Sequence, residues 1–319
     1  MSKPEVLVAA KFPPYLMDRL RQDFTVHDRL HETDLAAFAA AAPKIRAIAC
    51  GGESKVPRTL IDQLPALEMI SVMGVGYDGV DVAGALQRKV LVSHTPNVLN
   101  DDVADLAIAL MLSVARRIPQ SDRFVRENRW PDGAFPLARK MSGARLGIVG
   151  LGRIGQAIAQ RAAAFGMSIA YTGRSQKQGV AHTYYPSVAA LAAQVEFLVV
   201  ITPGGAGTFK MINREVLDAL GPQGFLVNVA RGSVVDQEAL IDALQSGRIA
   251  GAGLDVFDGE PQVPQALREM DNVVLTPHIG SGTNATRQAM ADLTHDNLVA
   301  YFAGRPLPSA IPEWKALGK

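Results

Sequence analysis

Residues 147–177 read "GIVGLGRIGQAIAQRAAAFGMSIAYTGRSQK", and this stretch decides the fold. An apolar, strand-like run leads into three glycines with G-x-G-x-x-G spacing, and a helical pattern follows them. In this motif the first glycine makes a tight turn, the second lets the backbone reach a pyrophosphate, and the third lets the helix pack closely on the strand. We predict a dinucleotide site here, with a tight turn that binds no ligand as the alternative. The turn and the N-terminus of the helix, where free N–H groups face phosphates, supply its first residues: Gly150, Gly152, Arg153, Ile154 and Gly155.

The residues after the second predicted strand indicate which dinucleotide binds. The fingerprint expects an Asp or Glu there to hydrogen-bond a ribose hydroxyl, whereas this chain has Gly173, Arg174 and Ser175. Arg174 can pair with a 2′-phosphate, Ser175 adds a hydroxyl, and Gly173 has no side chain to repel the phosphate. Lys177 adds a second positive charge. The composition favours NADP(H) over NAD(H), and a solvated basic turn is the alternative.

Strand-like runs separated by helical patterns recur along the whole chain. They read "EVLVAA", "RAIAC", "MISVMG" and "VLVSHT" in the first hundred residues, and "RLGIVG", "SIAYTG", "EFLVVIT", "GFLVNVA", "GLDVF" and "NVVLTP" later. Near-continuous apolar strands of this kind are typical of parallel sheets covered by helices on both faces. We predict a doubly wound α/β fold, and a length of 319 residues favours two domains.

The overall composition favours a small-molecule partner. Lys and Arg number 32 against 31 Asp and Glu, so the chain has no net charge suited to nucleic acid or an anionic membrane. No apolar run is long enough to span a bilayer, and no signal-peptide pattern is present, so we expect a cytoplasmic protein. The single cysteine, Cys50, ends an apolar run and is expected to be buried in a strand.

One helix is predicted between the two groups of strands. In "DDVADLAIALMLSVARR" the apolar positions Val103, Leu106, Leu110, Met111 and Val114 fall on one helical face. We expect Asp101 or Asp102 to cap this helix, and the polar stretch "ENRWPDGAFPLARKMSG" at residues 127–143 to form an arm. A last helical pattern, in "TRQAMADLTHDNLVAYFAG", is expected to pack on the first domain.

Three later stretches place charged or titratable groups at predicted strand ends: Arg231 in "NVARGSVVD", Glu260 in "GLDVFDGEP" and His278 in "LTPHIGSGT". Ligands of open α/β sheets bind outside the carboxyl ends of the strands. Taken singly, Arg231 could form a structural ion pair and His278 could be a structural residue.

These stretches, together with "GLGRIG", "GVGYDGVDV" and "TPNVLNDDVADLAIALML", resemble the D-2-hydroxyacid dehydrogenases, and among them most the glyoxylate/hydroxypyruvate reductases. The resemblance runs from about residue 65 to residue 305. It implies that Arg231 binds the carboxylate of a 2-oxoacid, that His278 is the general acid, and that Glu260 hydrogen-bonds the imidazole and favours its protonated form. Glu260 disfavours formate as the substrate, because the related formate dehydrogenases have an amide at this position.

The resemblance also implies roles for further residues. Substrate contacts are expected from the backbone of Val75 and Gly76, from Leu99 as a pocket wall, from Ser281, and from Trp130, which would reach a partner subunit's pocket. Cofactor contacts are expected at Thr202, Pro203, Val229, Asp255 and Gly280, with Asp255 near the nicotinamide carboxamide. The sequence "GGAGTF" after Pro203 departs from the family pattern, which leaves the adenosine-side contacts open.

The same resemblance implies two Rossmann-like domains, with the cofactor domain inserted into a flavodoxin-like substrate domain. The substrate domain is expected to comprise residues 1–97 and 285–319, and the NADP(H) domain residues 98–284. Residues 100–143 are expected to form the contact of a homodimer. No metal is expected.

Three alternatives to a reductase of glyoxylate and hydroxypyruvate remain open. Aryl pyruvates would be substrates if the pocket is wide. A phosphoglycerate dehydrogenase is disfavoured by Arg174 and by a chain that ends at Lys319, where a regulatory domain would have to follow. A nucleotide-sensing corepressor would keep the same triad but would need long tails.

Overall fold

The protein is described by a computed structural model covering residues 3–315. Within these residues it has twelve strands: β1 Glu5–Val8, β2 Thr25–Asp28, β3 Ile45–Gly51, β4 Met69–Met73, β5 Leu91–Ser93, β6 Arg145–Val149, β7 Ser168–Thr172, β8 Thr183–Tyr184, β9 Phe197–Val200, β10 Phe225–Asn228, β11 Gly251–Leu254 and β12 Val273–Leu275.

The same residues form fourteen α-helices: α1 Pro14–Asp23, α2 Leu30–Thr33, α3 Leu35–Ala41, α4 Arg58–Asp62, α5 Val82–Gln87, α6 Asn100–Arg116, α7 Ile118–Arg126, α8 Arg153–Ala163, α9 Val188–Ala192, α10 Arg214–Leu220, α11 Gln237–Gln245, α12 Gln265–Glu269, α13 Asn284–Phe302 and α14 Pro312–Lys315. Short 3₁₀ turns cover Ala42–Lys44, Trp130–Asp132 and Gly232–Val234.

The chain divides into two compact units, one formed by residues 1–99 with 283–319 and the other by residues 100–282. The boundaries differ by two residues from those expected from the sequence. Residues 1–2 and 316–319 of the predicted substrate domain lie outside the described residues.

The larger unit is built on a seven-stranded parallel sheet in the order β12-β11-β10-β9-β6-β7-β8. Strands β9 and β10 are buried along their whole length, which explains why both read as continuous apolar runs. The strand order reverses beside β6, because β7 lies on one side of it and β9 on the other. Ligands of such sheets bind at this switch point, outside the carboxyl ends of the strands.

The smaller unit has a five-stranded parallel sheet in the order β2-β1-β3-β4-β5. Helix α13, the last helix predicted from the sequence, belongs to this unit, and its Thr294 carbonyl accepts a hydrogen bond from Ser71 of β4 at 3.0 Å. Cys50 is fully buried in β3, and this burial raises the pKa of its thiol to about 12. The predictions for Cys50 and for the last helix are therefore confirmed.

Helix α6 belongs to the larger unit, where Val103, Leu110, Met111 and Val114 are buried. The fifth position of the predicted apolar face, Leu106, is only half-buried. Ala104, Ala107 and Ile108 widen the buried surface of this helix.

The prediction that Asp101 or Asp102 caps this helix was wrong. The helix starts at Asn100, so both aspartates lie inside its first turn. Asp101 instead accepts a hydrogen bond from Arg161 of α8 at 3.0 Å. A carboxylate in the first turn still favours the helix through its dipole.

The pattern of apolar runs in the sequence did not indicate two of the strands, β2 and β8. They lie at the outer edges of their sheets, and no residue of either strand is fully buried. Edge strands need no apolar run, so the signal that revealed the central strands is missing there. Among the described residues, no helix combines the length and the apolar character needed to cross a membrane.

Candidate active site

Every cofactor and triad residue predicted from the sequence in the larger unit lies at the carboxyl edge of its sheet or at the start of the following helix. Gly150 follows β6, and Gly173, Arg174 and Ser175 follow β7. Along the other side of the switch point come Thr202 and Pro203 after β9, Val229 and Arg231 after β10, Asp255 and Glu260 after β11, and His278, Gly280 and Ser281 after β12. Parallel strands end on the same edge, which is why positions up to 131 residues apart in the chain share this surface.

The three glycines of the turn are required for different reasons. Gly150 has a φ of +102°, and a Cβ there would lie 2.8 Å from the Ile201 carbonyl oxygen. A Cβ on Gly155 would lie 2.3 Å from the Gly150 oxygen, so this glycine lets α8 start close against β6. A Cβ on Gly152 would meet no atom within 4 Å. Packing within the protein explains Gly150 and Gly155, but it gives no reason for the missing side chain of Gly152.

The segment after β7 is exposed from Gly173 to Gly179. A Cβ on Gly173 would again meet nothing within 4 Å. Two tyrosines hold the ends of the segment: the buried Tyr171 hydroxyl accepts a hydrogen bond from the Lys177 N–H at 2.8 Å, and Tyr184 donates to the Gly173 carbonyl at 3.4 Å. The rings of Tyr171 and Tyr184 pack together at 5.4 Å between centroids. Arg174 and Ser175 therefore project from a short, tied loop.

His278 and Glu260 form a pair. The imidazole Nδ1 lies 2.8 Å from Glu260 Oε2, and both side chains are largely buried, with 28% and 22% of their surfaces exposed. The other carboxylate oxygen, Oε1, accepts the Phe257 N–H at 2.8 Å, so the local turn orients the glutamate. Because Nδ1 faces Glu260, the Nε2 atom lies on the opposite side of the ring.

The backbone of His278 is in the left-handed region, with a φ of +51°. This conformation costs a non-glycine residue about 1–2 kcal/mol, so neighbouring contacts must hold it. The His278 N–H donates to the Asp255 carbonyl at 2.9 Å. The Asp255 carboxylate accepts from the Thr276 hydroxyl at 2.6 Å and from the N–H groups of Ile279 and Gly280, both at 2.8 Å.

Asp255 is almost fully buried. Burial raises the pKa of Asp255 above its ordinary value, and the hydrogen bonds from Thr276, Ile279 and Gly280 offset part of that rise. The carboxylate thus organises the loop that carries His278. The sequence predicted Asp255 as a cofactor residue but gave no indication of this structural role.

Arg231 lies on a turn that is shaped by the side chain of a neighbouring asparagine. Asn228, at the end of β10, accepts from the Ala230 N–H and donates to the Arg231 carbonyl, both at 3.0 Å. The Arg231 guanidinium donates to the Ala230 carbonyl at 2.8 Å. A buried amide in the apolar run "FLVNVA" was the available signal, because such a group needs partners and often shapes a turn.

Gly232 joins the turn of Arg231 to the turn of Glu260. A Cβ on Gly232 would lie 1.9 Å from the carbonyl carbon of Phe257 and 2.4 Å from the Asp258 nitrogen. Any side chain at this position would force the two turns apart.

The remaining predicted residues lie elsewhere. Val75 and Gly76 follow β4 of the smaller unit, and Leu99 is buried just before α6. Trp130 is 67% exposed in the arm, far from full burial in this single chain.

Comparison with known proteins gives the same assignment as the motifs. The model for the NAD-binding domain of D-isomer specific 2-hydroxyacid dehydrogenases matches residues 108–280, more than half of the 319 residues. Hydroxyphenylpyruvate reductase of Plectranthus scutellarioides is 48% identical over 303 residues, covering 95% of this chain and 97% of that protein. The 2-ketogluconate reductase of Gluconobacter oxydans is 46% identical over 307 residues, covering 96% and 98%.

A solved structure matches the whole fold. The crystal structure of the NADPH-dependent glyoxylate/hydroxypyruvate reductase of Sinorhizobium meliloti, in complex with NADP and malonate, superimposes with a TM-score of 0.93 at 46% identity and covers 98% of each chain. The relatives and the solved structure match nearly the full length of the chain, and the family model matches residues 108–280. The chain belongs to the D-isomer specific 2-hydroxyacid dehydrogenase family.

Proposed function

We propose that the protein reduces small 2-oxoacids such as glyoxylate and hydroxypyruvate to D-2-hydroxy acids with NADPH. The observation that carries this proposal is the 2.8 Å pair of His278 and Glu260, placed at the sheet edge that also holds Arg231 and the glycine turn. The Sinorhizobium meliloti structure, an NADPH-dependent glyoxylate/hydroxypyruvate reductase, supports the same assignment.

Two glycines support the fit of the cofactor. Gly152 and Gly173 lie in ordinary backbone conformations, and neither lacks a side chain because of crowding within the protein. A bound dinucleotide would explain why both positions lack a side chain, because the pyrophosphate would lie at Gly152 and the 2′-phosphate beside Gly173. Arg174 and Ser175 would hold that phosphate by charge and hydrogen bonding. When bound, NADPH supplies a hydride to the carbonyl carbon of the substrate.

The triad provides what the reduction needs besides the hydride. Arg231 presents a planar guanidinium that matches the substrate carboxylate and orients the ketone. His278, whose Nδ1 is held by Glu260, donates a proton from Nε2 to the carbonyl oxygen as the alcohol forms. Glu260 stabilises the positively charged imidazolium that this transfer requires.

The other residues identified by resemblance keep their proposed roles. We assign substrate contacts to Val75, Gly76, Leu99, Ser281 and Trp130, and cofactor contacts to Arg153, Ile154, Thr202, Pro203, Val229, Asp255 and Gly280. The smaller unit is thereby the substrate-binding domain, and the unit of residues 100–282 is the cofactor-binding domain.

The direct test is the loss of absorbance at 340 nm when the purified protein meets NADPH and a 2-oxoacid. We expect turnover with glyoxylate and hydroxypyruvate, and a higher kcat/KM with NADPH than with NADH. Tight NADPH binding without turnover of any 2-oxoacid would instead favour a sensor that keeps the fold. Faster turnover with NADH would overturn the cofactor assignment.

A second substrate class is favoured by one comparison. The 48% identity to a hydroxyphenylpyruvate reductase brings aryl pyruvates into consideration. Including 4-hydroxyphenylpyruvate and 2-ketogluconate in the same panel decides between the classes, and the highest kcat/KM identifies the preferred one.

We further propose a homodimer formed through helix α6 and residues 117–143, which comprise α7 and the arm. Four of the seven large hydrophobic side chains exposed in the described residues lie in residues 117–143: Ile118, Val125, Trp130 and Leu137. Leu137 is 100% exposed and borders a cleft lined by Leu112, Ile118 and Phe135. A second copy of the chain would bury these groups.

Light scattering after size-exclusion chromatography tests the dimer. The wild-type protein is expected at twice the chain mass of 34.0 kDa, and Leu137→Asp is expected to shift it toward the monomer. Leu35→Asp, an exposed leucine outside the arm, is the matched control and should leave the mass unchanged.

We propose the cytoplasm as the compartment. The single cysteine, Cys50, is buried and can form no disulfide within the chain. Low cysteine use of this kind is typical of reducing compartments.

A further inference from the structure

The loop after β4 is fixed at both ends by close backbone contacts. Thr95 donates its N–H to the Gly74 carbonyl at 2.8 Å. A Cβ on Gly74 would lie 2.8 Å from Gly52 Cα, and a Cβ on Gly79 would lie 2.2 Å from the Ser54 oxygen. The segment between them, which includes Val75 and Gly76, therefore has little freedom to shift as a whole.

One side chain fixes the orientation of the peptide inside this loop. His94 Nδ1 lies 2.9 Å from the Val75 carbonyl oxygen, and because a carbonyl only accepts, Nδ1 must carry the proton. The peptide between Val75 and Gly76 is trans and planar, so its N–H points opposite to its C=O. The Gly76 N–H is therefore directed away from His94. In the part of the chain that the structure describes, it donates to no backbone carbonyl.

The imidazole of His94 is itself held in place. Its ring meets the Tyr77 ring edge to face, with centroids 5.2 Å apart and planes at 89°. The Tyr77 hydroxyl donates to the Glu313 carboxylate at 2.9 Å, and burial raises the pKa of this tyrosine, so it keeps the proton that it donates.

The backbone of His94 is also held by hydrogen bonds, like its ring. Its carbonyl accepts from the Ser309 hydroxyl at 2.7 Å, and its N–H donates to the Ser309 carbonyl at 3.2 Å. Ser309 is buried and bonded to the fully buried Asn297 of α13. Both ends of the contact between His94 and Val75 are thus fixed, which is what a positioning device requires.

We infer that His94 is a positioning residue that aims the Gly76 N–H at the carboxylate of the substrate. The inference rests on the proposed function, in which the backbone at 75–76 binds that carboxylate. A rigid N–H donor to a carboxylate is a charge-assisted hydrogen bond, so its direction affects binding strongly. Every 2-oxoacid carries the same carboxylate, so His94 acts on all of them alike and does not select among their side chains.

Two variants separate the N–H of His94 from the bulk of its ring. His94→Leu removes the donor, whereas His94→Asn keeps an amide nitrogen one bond from Cγ, where Nδ1 was. We expect His94→Leu to raise the KM for each 2-oxoacid about ten-fold, as the loss of an oriented hydrogen bond to a charged group predicts. Its kcat should change less than about three-fold and its Kd for NADPH should stay unchanged, while His94→Asn remains near wild type. An unchanged KM in His94→Leu, or equal losses in both variants, would overturn the inference.

A binding measurement keeps this test independent of turnover. The protein is labelled with ¹⁵N-glycine, saturated with NADP⁺ and titrated with oxamate, a carboxylate that is not reduced. The Gly76 resonance, identified by its loss in Gly76→Ala, should shift with oxamate in the wild type and in His94→Asn but not in His94→Leu. A wild-type Gly76 resonance that does not shift when oxamate is added would contradict the inference. Absent wild-type turnover contradicts the proposed function instead.

Discussion

The loops of the triad and the loop after β7 share one edge of the seven-stranded sheet, but they are built in opposite ways. Glu260 and His278 hold each other at 2.8 Å, and the Asp255 carboxylate alone accepts three hydrogen bonds from the segment that carries His278. Residues 173–179 are exposed. Two tyrosine hydroxyls form hydrogen bonds with the backbone of Gly173 and Lys177, on either side of Arg174. The groups proposed for the reaction depend on one another, whereas those proposed for cofactor choice can change one at a time.

The largest effect is expected from His278→Asn. Asparagine tolerates the left-handed backbone at this position, so the loop should survive while the acid is lost. We expect kcat for 2-oxoacid reduction to fall by about 10³-fold, within the range for a lost general acid. Steady-state kinetics measure the fall, and NADPH fluorescence should show unchanged cofactor binding. Turnover above a tenth of wild type would remove His278 from the proposed mechanism.

The second-largest effect is expected from Arg231→Lys. We expect kcat/KM to fall about 10²-fold, because an ammonium cannot form the bidentate contact with a carboxylate. The affinity for NADPH should not change. The measurement is kcat/KM for glyoxylate and hydroxypyruvate with NADPH saturating. Near-normal values would mean that the carboxylate is bound by another group.

Arg174→Ala changes the exposed loop and should affect only the cofactor. We expect the KM for NADPH to rise about ten-fold, as for a lost charge-assisted contact with phosphate, and the KM for NADH to stay within about two-fold. Gln176→Ala, at a neighbouring residue that is also exposed, is the control and should alter neither value. Equal effects of Arg174→Ala on both cofactors would argue against recognition of a 2′-phosphate.

Tyr171→Phe tests whether the loop depends on the hydrogen bond between the Lys177 N–H and the buried Tyr171 hydroxyl. Removing the hydroxyl leaves the Lys177 N–H without this acceptor, at a cost of about 1 kcal/mol in unfolding free energy. We expect the KM for NADPH to rise only about two- to three-fold, with that for NADH unchanged. Urea unfolding and cofactor titration measure the two effects. A ten-fold loss here would show that this loop is as interdependent as the triad.

Patterns with a strong local cause could be predicted from the sequence. The central strands of both sheets are buried, so β9 and β10 appear as apolar runs, and the glycine turn carries its own spacing. The edge strands β2 and β8 could not be found in this way, because exposed strands need no such run. The cap expected at Asp101 or Asp102 was wrong because the helix begins at Asn100, before both aspartates, a shift that no propensity resolves.

The charged and titratable residues of the candidate site could be picked out from the sequence, but the contacts that hold them in place could not. Arg231, Glu260 and His278 stand out as charged or titratable groups at strand ends. Asn228 and Gly232 do not, because their tasks depend on turns that approach each other only in the folded chain. Residues that shape a site through contacts distant in sequence leave no motif behind.

The burial of Cys50 gives the protein a practical property. Burial raises the pKa of its thiol to about 12, and its surface is closed to solvent, so maleimides and other thiol reagents should leave the native protein unlabelled. The wild-type chain is therefore ready for site-specific spectroscopy without prior removal of cysteines. A single Gln176→Cys exchange would place a fluorophore beside the proposed phosphate site, and its signal could report cofactor arrival in real time.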